Sequence, residues 1–156
     1  MKTILGAFLG ALLLLTKTAV AADPVVGTRE LNVAKSKFNS TLGPAPKSET
    51  RTYSESADGM TAVTIKTVSA DGKEATISLS FKVDGKDYPI KDPLADTISE
   101  KRINSHTVEY SEKKAGKDRL KGQRTVSKDG STLTVSDTWT DTTGAKIPQT
   151  LVYDKR

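Results

Sequence analysis

One histidine stands in the chain, His106, directly after Ser105. A nucleophilic triad needs a base beside the serine and an acid that orients the base. Adjacent residues on a strand point to opposite faces, so Ser105-His106 reads as an exposed turn. A single histidine also excludes any two-histidine metal site within the chain. The acidic pairs are no better placed. Asp137 and Asp141 share one face of a strand four residues apart, and Asp84 and Asp87 flank a turn. Calcium loops need a denser set of oxygen ligands. There is no cysteine, which excludes thiolate nucleophiles, zinc-thiolate sites and redox dithiols. No glycine-rich phosphate cradle occurs, because each Asp-Gly pair is explained by turn chemistry. No catalytic residue, metal or cofactor is expected.

The aromatic residues offer a different chemistry. Tyr53, Phe81, Tyr88, Tyr110, Trp139 and Tyr153 fall at positions compatible with one inner face. Two readings stay open. They fill the core of a small barrel, or they wall a pocket in which a few polar groups orient a ligand. Asp137 shares strand parity with Leu133, Val135 and Trp139, which turns it toward that face. A buried carboxylate needs a partner, and one hairpin register sets Arg124 diagonally across from it. An Arg124–Asp137 pair is therefore expected, inside the barrel or at its mouth. The candidate ligand-binding residues are Tyr53, Phe81, Tyr88, Tyr110, Arg124, Asp137 and Trp139.

Strands must position these side chains. Runs of Val, Ile, Thr and Tyr alternate with Gly, Asp and Asn clusters. The pattern predicts strands at 28–33, 49–56, 60–69, 73–83, 86–90, 97–103, 106–113, 118–127, 131–141 and 145–153. A helical turn is expected only around Val33 to Phe38. Most connections span two to four residues, which requires antiparallel neighbours. Residues 35–48, with Pro44 and Pro46, form an irregular crossing segment, and residues 91–96 form a loop. The crossing segment is read as a solvated loop or a partner-binding one.

The Asp-Gly pairs set the register. Three-residue loops ending at Gly59 and Gly72 place Tyr53 opposite Val63, Val63 opposite Leu79, and Ile65 opposite Ile77. A two-residue turn at Asp84-Gly85 would place Phe81 opposite Tyr88 and Leu79 opposite Ile90. One apolar face then runs through all of them. Asp129-Gly130 leaves two registers open. One sets Val126 opposite Leu133 and Arg124 opposite Val135; the other sets Thr125 opposite Leu133. An all-β, antiparallel up-and-down meander of about 8–10 strands is the outcome, closing into a barrel to remove its edges. A two-sheet sandwich is the alternative.

The first residues read as an export signal. Lys2 precedes an apolar run from Ile4 to Leu15, and Ala19-Val20-Ala21 supplies a small-x-small cleavage pattern. Twelve apolar residues are too few for a membrane span of roughly twenty. Residues 22–156 would then form one domain, exported to the periplasm or secreted. The full chain has 24 Lys and Arg against 19 Asp and Glu, a net +5. Removing Lys2 and Lys17 leaves 22 − 19 = +3. The signs are interspersed, and the basic stretch Lys113 to Arg124 lacks stacking aromatics, so no nucleic-acid partner is expected. The domain is expected to act as a monomer without stable membrane insertion. Residues of the AVILMFWYC class make up about 30% of residues 22–156 by direct count, below the usual ~45–50% of a class that also counts glycine. That suits a single sheet with one dry face.

"GTRELN" (Gly27 to Asn32), the chain of hairpins and the closing "LVYDKR" (Leu151 to Arg156) resemble the calycins: the lipocalins and the fatty-acid-binding proteins. "LNVAKSKF" (Leu31 to Phe38) and "TVSKDGSTLTV" (Thr125 to Val135) resemble uncharacterised exported bacterial proteins. The resemblance covers nearly all of residues 22–156 and implies a barrel with a binding role. Arg29 stands where calycins usually carry a tryptophan, and Leu151 stands where an Arg-x-Tyr ending at Tyr153 would need its arginine. Two functions from different classes follow. The first is non-catalytic binding of a small apolar or amphipathic ligand inside the barrel. The alternative is a protein-interaction module, such as an exported inhibitor or envelope-associated factor, acting through loops around a packed barrel.

Overall fold

Two Asp-Gly turns build the first three-strand unit as expected. In each, a type I-like turn ends on a left-handed glycine, Gly59 at φ +78° and Gly72 at φ +89°. The strands resume with Ser56 N–H donating to Met60 O and Ser69 N–H to Lys73 O, both at 2.9 Å. Only glycine takes that backbone without strain. The flanking serines and aspartates close the turns, with Ser69 Oγ donating to Asp71 at 2.5 Å.

The computed structural model describes residues 22–156; the expected signal segment, residues 1–21, lies outside the described residues. The described residues form ten strands: β1 Gly27–Leu31, β2 Ser48–Glu55, β3 Thr61–Val68, β4 Glu74–Phe81, β5 Tyr88–Pro89, β6 Thr97–Arg102, β7 Thr107–Lys114, β8 Lys117–Val126, β9 Thr132–Thr140 and β10 Lys146–Lys155. Their order in the sheet is β4-β3-β2-β1-β10-β9-β8-β7-β6-β5, antiparallel throughout. The first and last strands pair at the centre, and the sheet curls into a nearly closed barrel. No ladder joins its two ends, β4 and β5. A 3-10 turn at Val33–Lys35 stands where a helical turn was expected, and a second occupies Ser40–Leu42 in the crossing segment.

The registers can be read directly. Tyr53 faces Val63, Val63 faces Leu79, and Ile65 faces Ile77. At the fourth Asp-Gly pair the structure selects Val126 opposite Leu133 and Arg124 opposite Val135. The connection is a four-residue loop, with Ser127 N–H bonded to Thr132 O at 2.8 Å.

Asp84-Gly85 departs from the expected hairpin. Phe81 pairs with Thr61, and Tyr88 pairs with Ile98. The chain does not fold back on β4. It lies against β6 instead, where Gly85 N–H donates to Glu100 O at 2.7 Å and Asp84 bridges Lys101. Asp84 then accepts from Lys86 N–H at 3.0 Å and from the Tyr88 hydroxyl at 2.9 Å. Pro89 has no N–H to give a ladder, which suits a two-residue strand at a sheet edge. Tyr88 and Ile90 still pack on the core, so the apolar face survives by a different pairing.

One end of the barrel is plugged by the segment before β1. Val25 is buried in the core, and the Arg29 guanidinium, 0% exposed, holds the plug. It donates to the carbonyls of Pro24 (2.6 Å), Gly130 (2.7 Å) and Val25 (3.3 Å). At the opposite end lie the β3–β4, β7–β8 and β9–β10 turns, the 91–96 loop and the crossing segment. No described helix is long and apolar enough to cross a membrane.

Candidate ligand cavity

Inward-facing side chains enclose a cavity of about 240 Å³. Its size is below the ~300 Å³ at the lower end for drug-sized ligands. A second space, about 660 Å³ and more open, lies under the crossing segment between Phe38, Leu42 and Pro46. Glu49, Thr67, Leu94, Trp139, Gln149 and Leu151 line both, so the two meet at the mouth. The barrel is therefore not packed solid.

Six of the seven expected site residues line the inner cavity: Tyr53, Phe81, Tyr110, Arg124, Asp137 and Trp139. Tyr88 does not; its hydroxyl turns outward to Asp84. The expected Arg124–Asp137 pair is not formed. Arg124 Nη2 lies 2.7 Å from Glu100 Oε2, and both side chains are 4–5% exposed. Asp23, whose Oδ1 lies 3.9 Å from Arg124 Nη1, continues the pair toward the plug and binds Arg102 through its Oδ2. The Arg124 guanidinium lies over the Tyr53 ring, 5.5 Å from its centroid.

Asp137 binds the Tyr110 hydroxyl instead. The reason lies in the residue between them. Gly122 on β8 faces Tyr110 on one side and Asp137 on the other. With no side chain there, the tyrosine crosses β8 to reach the carboxylate. A Cβ on Gly122 would stand 2.6 Å from Asp137 Oδ1 and 2.7 Å from the Tyr110 hydroxyl. Burial pushes the Asp137 carboxyl above its ordinary value, while Tyr110 and Arg51 oppose that shift.

Five further charged wall residues escaped the sequence reading: Glu49, Arg51, Asp92, Glu100 and Glu112. The signal was present for three of them. Glu49 and Arg51 share parity with Tyr53, and Glu112 shares it with Tyr110, so the alternation that turned the tyrosines inward turned these inward too. Arg51 Nε lies 2.8 Å from Glu49 Oε1. Tyr153 donates to the same oxygen at 2.7 Å, Thr67 donates to Oε2 at 3.2 Å, and Arg51 stacks 4.8 Å from the Tyr153 ring centroid. Burial opposes ionisation of Glu49, but Arg51, Tyr153 and Thr67 together hold its carboxyl below the ordinary value. Glu112 has no such partners among the described residues. Burial, then Asp92 and Asp137, push its carboxyl up to about 7. The Trp139 indole N–H is buried without an acceptor among the described residues.

No protein-family model matches the chain, and no curated protein matches it in sequence. Solved structures do resemble it. The fluorescent protein UnaG is 17% identical with a TM-score of 0.58, over 84% of this chain and 96% of that one. As-p18, an extracellular fatty acid binding protein, is 13% identical with a TM-score of 0.60, over 86% and 97%. Zebrafish ileal bile acid-binding protein, complexed with cholic acid, is 12% identical with a TM-score of 0.56, over 85% and 99%. The chain thus has a calycin-like fold.

Proposed function

We propose that the protein is an exported, non-catalytic binding protein that holds a small apolar or amphipathic molecule in its barrel. The cavity carries this reading: an inner space with apolar walls from Val63, Ile65, Leu79 and Ile98, joined to a mouth at one end. Two structures that share the fold are, by their own descriptions, a fatty acid binding protein and a bile acid-binding protein. Six candidate aromatic, basic and acidic residues face the cavity together. The alternative, an interaction module around a packed barrel, has less support because the interior holds space. Export draws its support from the residues themselves, Lys2, the apolar run to Leu15 and Ala19-Val20-Ala21.

Native mass spectrometry of the protein isolated from its own host tests the binding reading. A co-purified molecule that leaves on denaturation is expected, together with a change in Trp139 fluorescence when short apolar molecules are added to stripped protein. Absence of both results would overturn it. N-terminal sequencing of the isolated protein tests export separately, with Ala22 expected as the first residue.

A further inference from the structure

We infer that the cavity selects a cationic amphiphile, a small molecule with an apolar body and a protonated amine, over a carboxylate. The inference rests on the cavity being the binding site and names the class of molecule it takes.

Seven charged side chains line the inner cavity. Five are acids and two are arginines. Both arginines are already engaged: Arg51 with Glu49 at 2.8 Å and Arg124 with Glu100 at 2.7 Å. Each also lies over a tyrosine ring. A ligand carboxylate would find no free cation on this wall. It would meet Asp92, Glu112 and Asp137, none of which has an ion-pair partner among the described residues. Asp137 is 6% exposed and is held in the cavity by the Tyr110 hydroxyl. An ionised carboxylate without a counter-charge is costly to bury. A ligand ammonium supplies the missing charge, while the aliphatic wall takes the apolar body.

The exterior has the opposite sign. Residues 22–156 carry a net 22 − 19 = +3 although the cavity wall is acidic, so non-specific attraction at the surface favours carboxylates. A preference for amines must then come from inside. Arg119 adds a cation in the outer space at the mouth, not in the inner cavity. Glu112 faces Asp92, Asp137, Glu100 and Arg51, with Tyr110 two residues away on its own strand. Its carboxyl ionises near 7, and a bound ammonium would hold it ionised. Amine affinity should therefore rise with pH through that range.

The cavity volume sets the probe. At about 30 Å³ for each water-sized group, 240 Å³ accommodates about eight such groups. Octylamine, octanol and octanoate share that body and differ in the head. Isothermal calorimetry with Trp139 fluorescence is run on residues 22–156 at pH 7.5 and 5.5. Octylamine is expected to bind at least tenfold more tightly than octanoate at pH 7.5. Its affinity should fall several-fold at pH 5.5, with octanol unchanged. Glu112→Gln should weaken octylamine and flatten that pH dependence while leaving octanol binding intact. If octanol or octanoate binds and octylamine gains no advantage, the inference falls and the binding cavity stands. If none of the three binds, both fall.

Discussion

Glu49 and Glu112 are the same residue type on opposite walls of one cavity. Their strands, β2 and β7, stand five places apart in the ten-strand order. Glu49 is held ionised by an arginine, a tyrosine and a threonine; Glu112 is pushed up to about 7. Burial acts the same way on both. The difference lies in what the neighbouring strands place beside them. At Glu49 the barrel brings β2, β3 and β10 together with Arg51, Thr67 and Tyr153. At Glu112 it brings two more carboxylates, Asp92 and Asp137. Buried charge in this barrel is thus of two kinds, one that completes the fold and one left for something else to complete.

Arg124→Met is the strongest test of that distinction. Arg124 and Glu100 form the most buried ion pair among the described residues, and removing one member leaves a carboxylate in an apolar setting. The expected loss is about 3–5 kcal/mol of stability, read by urea unfolding. The double variant Arg124→Met with Glu100→Leu should recover much of it, because apolar replacement of a whole buried pair is often near neutral. A small loss in the single variant would mean that the paired acids are no more structural than the unpaired ones.

The hairpin chain was legible because its signals are local. An Asp-Gly pair fixes a turn, a turn fixes a register, and alternation then fixes a face; Tyr53, Val63 and Leu79 follow from that without knowledge of the rest. Asp84-Gly85 was misread because nothing local says that the returning strand will choose β6 over β4. That choice is made by Glu100 and Lys101, some fifteen residues on. The partner of Asp137 was misread for a similar reason. The decisive residue was Gly122, and a glycine in a strand shows only that a side chain is missing, not which neighbour crosses the gap. Glu49, Arg51 and Glu112 were legible by parity alone; their charge argued for a solvated face, and the barrel interior overrode it.

Gly122→Ala isolates the second wall. Its methyl group would overlap both Tyr110 and Asp137, and relief requires one of them to move. Overpacking of this kind costs about 1–3 kcal/mol. The loss should be accompanied by a change in the tyrosine near-ultraviolet signal as Tyr110 leaves Asp137. Tyr110→Phe with Gly122→Ala removes the hydroxyl contact and should cost less than the sum of the two single changes. Additive losses would show that the bridge over Gly122 does not couple the two residues.

Glu112→Gln is the smallest effect and the one whose sign matters most. The carboxyl ionises near 4.5 in the unfolded chain and near 7 in the folded one. Between those values the unfolded chain binds fewer protons, so this group makes stability fall as pH rises. The full shift overstates the effect, because Glu112 is half-buried and faces a cavity that water can enter; a difference on the order of 1 kcal/mol is expected. Glutamine removes the titration. The variant should therefore gain about that much on the wild type at pH 7.5 relative to pH 5, measured by urea unfolding at both. Arg124→Met destabilises by stripping a carboxylate of its cation, whereas Glu112→Gln gains at neutral pH because its carboxylate has no ion-pair partner among the described residues, the nearby Arg51 being engaged by Glu49. If Glu112→Gln instead lost stability as pH rose, a cation in the folded chain would already be serving Glu112, and the two walls would be alike.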